Sequence, residues 1–340
     1  MADKTVTWNV GIIGLGVGWE HIQGFQAHPS CRVTALCDFD ADKLQKARSA
    51  FPGMRLTSEA KDILTDKDIH VVSIASYDNY HHEQILLALK NGKHVFAEKP
   101  LCLSEKECQD IADCLKARPA LKLSSNLILR KCPRFVWLRK KIRDNEMGEL
   151  YQLEGDYNYG RIEKVTQGWR GKIDFYSAVY GGGVHIIDLL MWLSGRNITD
   201  VYAYGNKISS QGSQFKYHDL VTCVFRFDSG ATGKMTVNFG CVCPHFHPLA
   251  IYGTRAAFFN AFREYGLWSV SRDPSVEPQK VLEEYPGARK GDLLFNFMEA
   301  VTKDVPLEVT TEDVFKAMAV CFAIERSAHT GRAEQVNYFK

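Results

Sequence analysis

The sequence predicts an α/β domain built as a doubly wound parallel sheet, followed by an α+β domain with an open, mostly antiparallel sheet. Three observations predict it. Short apolar runs alternate with helical stretches over the first third of the chain, the pattern of strands covered on both faces. The first of those runs ends in a glycine-rich turn that opens a helix. Beyond about residue 150, longer alternating strands succeed one another with short turns, as in an antiparallel sheet. A chain of 340 residues has room for two such domains. Its 45% hydrophobic and 24% charged residues describe a globular protein.

The elements follow in order. Val10 to Ile13, Arg32 to Cys37, Val71 to Ala75 and His94 to Ala97 read as four buried strands. Ile85, Leu86 and Leu89 mark the helix between the third and fourth, and Asn91-Gly92 ends it. Ser104-Glu105-Lys106-Glu107 is a capping box, and Lys122-Leu123-Ser124 reads as a fifth strand. The domain boundary is placed at Ser125, giving domains 1–125 and 126–340. Pro133 to Glu146 has helical periodicity, and Tyr151 to Tyr159 reads as a long strand. Further strands are expected near Asp200–Tyr204, Leu220–Phe227, Ala231–Phe239 and Leu249–Tyr252, with a hairpin turn at Asp228-Ser229-Gly230. Two helical patterns between Leu293 and Ser327 are expected to pack back on the body.

Composition excludes several classes. The 42 Lys and Arg against 40 Asp and Glu leave a net charge of +2, with no footprint for nucleic acid or an anionic membrane. No apolar run reaches the ~18 residues of a membrane span. Met1-Ala2-Asp3-Lys4-Thr5 leads straight into a strand, which is not a secretory signal. The ten cysteines form no Cys-x-x-Cys and read as reduced thiols of a cytoplasmic protein.

The sharpest motif is Gly14-Leu15-Gly16-Val17-Gly18. Gly14 permits the tight turn and Gly16 lets a pyrophosphate approach the backbone. The N–H groups of Leu15, Val17 and the helix start then meet negative charge. Trp19 stands where a third glycine or alanine is usual. Asp38 ends the second strand, 22 residues after Gly16, at the spacing of an acidic ribose ligand. A carboxylate there accepts from a ribose diol and repels a 2′-phosphate, and Phe39 and Asp40 follow with no adjacent Lys or Arg. NAD is therefore expected over NADP. The alternative is that Asp38 only caps the helix from Asp40 to Phe51.

Two further constellations carry chemistry. Glu98-Lys99-Pro100-Leu101 closes the fourth strand, where the carboxyl ends of a parallel sheet face the ligand crevice. A lysine there can donate to a substrate hydroxyl; otherwise it is a surface residue. Gly181-Gly182-Gly183-Val184-His185 opens a helix, with His185 and Asp188 on one face. A histidine suits proton transfer to or from an alcohol, and the competing role is a core or capping one.

Over nearly its whole length the sequence resembles the glucose–fructose oxidoreductase, inositol dehydrogenase and MocA-type oxidoreductases. The resemblance runs through the glycine turn, Ser76 to His81, Gly92-Lys93-His94-Val95 into Glu98-Lys99-Pro100, Asn126, Trp169-Arg170 and His185-x-x-Asp188. It implies a Rossmann domain, then a domain whose open sheet packs against a second subunit, as a homodimer or homotetramer. It implies NAD or NADP as coenzyme and a sugar, cyclitol or nucleotide sugar as substrate. Lys99 matches the central catalytic lysine, whose bond to proline is often cis, and His185 matches the acid/base histidine. Ser76, Tyr77, His81, Glu98, Asn126, Trp169 and Arg170 fall where relatives approach coenzyme or substrate. Relatives usually carry an aspartate four residues before the histidine, where this chain has Gly181. Asp174, Tyr176 and Tyr180 stand just upstream as partial replacements.

The working reading is that His185 takes the alcohol proton while Lys99 orients and polarises the same oxygen, with hydride passing to C4 of NAD+. Arg170, Tyr176, Tyr180, Asp188 and His245 are the further substrate candidates. Loss of the aspartate leaves open a regulator or sensor that binds coenzyme without turnover. Reduction of a double bond is a third possibility. No metal is expected: Cys241-Val242-Cys243-Pro244-His245-Phe246-His247 spaces its ligands too widely along one strand to enclose zinc. His245 and His247 are placed at the substrate cleft or an interface instead. Arg134, Arg139, Lys140, Lys141 and Arg143 form a basic helix segment that reads as a solvated face or a phosphate contact.

Overall fold

The computed structural model describes residues 7–339. Two compact units emerge: one runs to Ile128 and takes in Arg289–Phe315, and the other comprises Leu129–Ala288 and the chain from Lys316.

In the first unit, β1 (Trp8–Ile13), β2 (Cys31–Cys37), β3 (Arg55–Thr57), β4 (Val71–Ile74), β5 (His94–Ala97) and β6 (Leu123–Ser125) form one parallel sheet. Its order is β3-β2-β1-β4-β5-β6. The order reverses between β1 and β4, and open sheets of this kind bind ligands at that switch point, beyond the strands' carboxyl ends. Val10, Ile12, Val71, Val72, Ile74, Val95 and Phe96 are fully buried, which accounts for their continuous apolar runs. Helices α1 (Gly18–Gln26), α2 (Ala41–Ala50), α3 (Ala60–Leu64), α4 (His81–Lys90) and α5 (Glu105–Lys116) separate the strands. Ser104 caps α5 by accepting from the Glu107 N–H at 3.2 Å, while the Glu107 carboxylate reaches back to the Leu103 N–H at 2.7 Å. The returning segment holds α9 (Leu294–Lys303), whose Phe297 packs edge-on against Phe96. Ser124 and Thr311 then tie β6 to that segment, through the Val309 and Leu123 carbonyls.

The second unit is built on nine strands: β7 (Leu150–Asn158), β8 (Ile198–Asn206), β9 (Leu220–Phe227), β10 (Thr232–Asn238), β11 (Leu249–Gly253), β12 (Ala257–Asn260), β13 (Gly266–Ser269), β14 (Gln279–Val281) and β15 (Glu334–Gln335). Their order is β14-β13-β12-β11-β7-β10-β9-β8-β15, antiparallel except between β7 and β10. Alternation sets two faces. Leu153, Val221, Cys223, Phe225, Met235, Val237 and Ile251 are buried, while Val224, Arg226 and Thr232 are exposed on the other side. Helix α8 (Val184–Ser194) covers the buried face. It comes so close that a Cβ at Gly155 would stand 2.7 Å from the Ile186 side chain. Helix α6 (Pro133–Arg143) stops short of the predicted Glu146, because Asn145 adopts a left-handed backbone with φ 59°. The short α7 (Glu163–Thr166) and long α10 (Thr311–Thr330) complete the helices. Among the described residues no helix is long and apolar enough to cross a membrane, and all ten cysteines are free.

Candidate active site

The glycine turn does what its spacing demands. Gly14 sits at φ +90°, where a Cβ would overlap the Ala75 carbonyl oxygen. Gly16 is exposed, and a Cβ on it would meet nothing within 4 Å, so its backbone lies open to a ligand. Gly18 begins α1 and lies close against Ile12 and Ala75, at 3.0 and 3.4 Å from where its Cβ would stand. The close helix–strand packing of the usual third glycine therefore comes from Gly18. Trp19 turns to Phe51 instead, with Lys46 over its ring.

Asp38 is buried at the end of β2. Its carboxylate accepts the Leu15 N–H at 2.7 Å and the Asp40 N–H at 2.9 Å, locking the glycine turn to the strand end. Capping of α2 falls to Asp40, which accepts from Asp42 and Lys43, so Asp38 is not merely a cap. One sequence expectation needs correction: Lys43, in the first turn of α2, brings its ammonium to 3.2 Å from Asp38. Beside them Phe39 and Tyr77 meet edge to face, with centroids 5.3 Å apart.

The loops after β4 and β5 are joined by His81. This fully buried side chain has one ring nitrogen 2.7 Å from the Pro100 carbonyl and the other 3.2 Å from the Ser76 carbonyl. It is a loop anchor rather than a coenzyme contact. Ser76 donates to Gln84 at 2.8 Å. The Lys99–Pro100 peptide is cis. Glu98, next to Lys99, accepts from Asn126 at 2.7 Å and faces the His21 ring at 3.3 Å. Burial alone would push the Glu98 carboxyl up, yet the hydrogen bond and charge of His21, the charge of Lys99 and the bond from Asn126 hold it well below the usual carboxylate range. His21 in turn meets Ser73 at 2.8 Å. Sequence reasoning missed His21, since nothing around a helical histidine marks a partner 77 residues away. The buried Asn126 Oδ1 and Ser125 Oγ have no hydrogen-bond partner among the described residues. Two orphaned polar atoms at the end of β6, an open glycine backbone after β1 and a buried ribose-type acid after β2 lie along the same carboxyl edge of the parallel sheet, an arrangement that fits a bound dinucleotide.

In the second unit His185 lies in the first turn of α8, after a turn of π-helix over Val179–Gly183. Its ring stacks on Tyr157 with centroids 6.0 Å apart and planes 15° from parallel. At Gly181 a Cβ would stand 2.2 Å from the Tyr176 hydroxyl, so any side chain there would have to displace the tip of that ring. The phenol thus occupies the space of the missing aspartate side chain. Arg170 lies over the Trp169 ring at 4.6 Å and the Tyr176 ring at 6.0 Å. Tyr180 is core, packed on Phe175 and Phe322. Asp188, expected near substrate, is engaged by Arg130 in a buried pair, with Nε donating to Oδ2 at 2.9 Å and Nη2 to Oδ1 at 2.5 Å. That geometry makes it a fixed point of α8. The basic segment of α6 is likewise not a phosphate patch. Arg134 is buried and donates to Asn260 and three carbonyls, Arg139 bonds the Trp192 carbonyl, and Lys140 and Lys141 pair with Asp144 and Glu146. No group of three metal-ligating side chains occurs among the described residues.

The glycine turn and the acid closing β2 define the first unit as an NAD-binding Rossmann domain. Residues 8–125 match the oxidoreductase family with NAD-binding Rossmann fold, and residues 135–259 match the GFO/IDH/MocA C-terminal domain. The chain belongs to this GFO/IDH/MocA oxidoreductase family. It is 28% identical over 235 residues to an inositol 2-dehydrogenase/D-chiro-inositol 3-dehydrogenase of Lactiplantibacillus plantarum. That alignment covers 68% of this chain and 64% of the relative, so the matched part spans less than two thirds of the relative's length. Levoglucosan dehydrogenase in complex with NADH and levoglucosan has the same fold, with TM-score 0.86, 21% identity and coverage of 97% and 99%. So has scyllo-inositol dehydrogenase of Lactobacillus casei with bound NAD(H) and scyllo-inositol, with TM-score 0.81, 17% identity and coverage of 97% and 99%.

Proposed function

We propose that the protein is an NAD-dependent dehydrogenase acting on a hydroxyl-bearing carbon of a sugar, cyclitol or nucleotide sugar. The observation that carries this reading is the Asp38 carboxylate, buried at the strand end and bonded to the Leu15 N–H of an otherwise open glycine turn. The polyol dehydrogenases among its relatives support the substrate class. Asp38 accepts from a ribose diol and disfavours a 2′-phosphate, so NAD is the proposed coenzyme. Lys43 offsets part of that charge, which keeps the preference over NADP finite.

Bound coenzyme would supply the hydride acceptor, C4 of the nicotinamide. Gly14, Leu15, Gly16 and Val17 would hold the pyrophosphate, Asp38 the ribose, and Ser76, Tyr77, Glu98 and Asn126 the rest of the nucleotide. Lys99 orients and polarises the substrate oxygen. His185 takes its proton, and the Tyr176 phenol offers a neutral hydrogen-bonding group where relatives place a carboxylate. Trp169 and Arg170 would approach the coenzyme, with Arg170 and His245 also on the substrate side. A homodimer or homotetramer through the open face of the nine-stranded sheet, and a cytoplasmic location for ten free thiols, belong to the same proposal.

Lys99→Ala and His185→Asn should each lower turnover by a factor of about 100 or more on any polyol the protein oxidises. Unchanged turnover in both variants would refute the assignment. Tight NADH binding with no turnover on sugars, cyclitols or nucleotide sugars would favour a sensor instead.

A further inference from the structure

Four buried polar side chains, from α1 and from the carboxyl ends of β4, β5 and β6, meet in one cluster. His21 of α1 is fully buried, and its ring stands edge-on to Phe96 of β5 with centroids 5.6 Å apart. Its Nδ1 lies 2.8 Å from the Ser73 hydroxyl of β4. Its Nε2 lies 3.3 Å from Glu98 Oε1. The same oxygen accepts from Asn126 Nδ2 at 2.7 Å. The backbone fixes the last two residues independently: the Glu98 N–H donates to the Ile74 carbonyl at 2.7 Å, and the Asn126 N–H donates to the Ala97 carbonyl at 3.1 Å.

This cluster decides which way the Asn126 amide faces. Nδ2 donates one hydrogen to Glu98 Oε1 and the other to the Lys290 carbonyl at 3.0 Å. Turned over, the amide would set its oxygen against those two acceptors, so its hydrogens belong there. Nδ2 also lies 3.4 Å from His21 Nε2, but with both hydrogens engaged that approach is not a hydrogen bond. Oδ1 is thereby turned away from both acceptors, buried and with no hydrogen-bond partner among the described residues. The arrangement holds as long as Glu98 only accepts. Burial pushes its carboxyl up, and a protonated Glu98 would offer an O–H that favours the turned amide. His21 leads the groups that counter burial and hold Glu98 well below the usual carboxylate range. A carboxylate only accepts, so His21 donates to it from Nε2, and the Ser73 hydroxyl keeps the ring turned that way.

In the proposed coenzyme site Asp38 after β2 takes the adenosine ribose and the glycine turn after β1 takes the pyrophosphate. The sheet order β2-β1-β4-β5-β6 then carries the nicotinamide half toward β6. That half brings N–H and O–H donors in its carboxamide and its ribose. We propose that His21 is a positioning residue for the coenzyme: it keeps Glu98 an acceptor, Glu98 orients the Asn126 amide, and Asn126 Oδ1 accepts a hydrogen bond from the nicotinamide half of NAD(H). The inference rests on the coenzyme part of the proposed function and is independent of the substrate.

The test titrates the full chain with NADH, and with ADP as a probe of the adenosine half alone, by fluorescence and calorimetry. His21→Leu should raise the NADH Kd about tenfold and leave the ADP Kd within about twofold. His21→Gln, which keeps a donor near the Nε2 position, should hold the NADH Kd within about threefold of wild type. Ser73→Ala frees the ring and should raise the NADH Kd about threefold with the ADP Kd unchanged; should His21→Leu not fold, this variant decides. An unchanged NADH Kd in His21→Leu and Ser73→Ala would overturn the proposal. So would equal losses for NADH and ADP, the mark of a merely structural residue, or a His21→Gln variant as weak as His21→Leu. If the wild type binds neither NADH nor NAD+, the coenzyme reading and the role of His21 fall together. If it binds NADH and oxidises no polyol, the dehydrogenase reading fails while the titrations still decide the role of His21.

Discussion

At Gly181 a residue defined by what it lacks is answered by a neighbour. The Tyr176 hydroxyl fills the space a side chain there would take, and Tyr176 is nearly fully buried. Tyr176→Phe removes one hydroxyl without changing the packing volume much, and should lower kcat about tenfold while NADH affinity stays the same; steady-state kinetics and coenzyme titration would check both. Gly14 makes the opposite demand. Its positive φ and the Ala75 carbonyl forbid a side chain, so Gly14→Ala should cost about 1–3 kcal/mol of stability, read from denaturant unfolding. The glycine turn, Asp38, Lys99 and His185 were legible in the sequence because strand ends and helix starts announce them locally. His21 and Tyr285 were not. His21 meets Glu98, and Tyr285 meets His247 38 residues away, through tertiary contacts that no local pattern encodes. Asp188 misled for the same reason, since its partner Arg130 lies 58 residues away.

Among the elements, β5 carries a pH-sensitive contact. His94 Nδ1 accepts the Lys122 N–H at 3.0 Å, just before β6, and its ring packs edge-on to Trp8. Burial, aided by the charges of Lys122 and His70, pushes the imidazole down to about 4. Between that value and the ordinary 6.5 the unfolded chain binds a proton that the folded chain refuses, so stability falls as pH drops through this window. Lowering pH from 7 to 5 should cost about 2 kcal/mol from this group. His247 and His218, also held low by burial, add in the same direction. His94→Gln should flatten the slope of unfolding free energy against pH; an equal slope would exclude His94 as a source. Apart from the three-residue β6, the strands legible in sequence were the long alternating or wholly apolar ones. Arg55–Thr57, Ala257–Asn260, Gly266–Ser269, Gln279–Val281 and Glu334–Gln335 escaped, because two to four residues give a period-two pattern no room to repeat. The parallel pairing of β7 with β10 escaped as well, since strand order depends on contacts far apart in the chain.

At the scale of the molecule, Tyr204, Val224 and Arg226 make the outer side of the nine-stranded sheet partly apolar. A second copy seated there would bury it, so light scattering should report a dimer or tetramer, and Val224→Glu should shift the population toward monomer. A monomeric wild type would exclude that interface. The most direct measurement mixes the purified chain with NAD+ and a panel of cyclitols, sugars and nucleotide sugars and follows NADH absorbance. Absorbance should rise with at least one polyol, faster with NAD+ than with NADP+, and be lost in Lys99→Ala. No rise with any of them, or an equal rise in Lys99→Ala, would contradict the account.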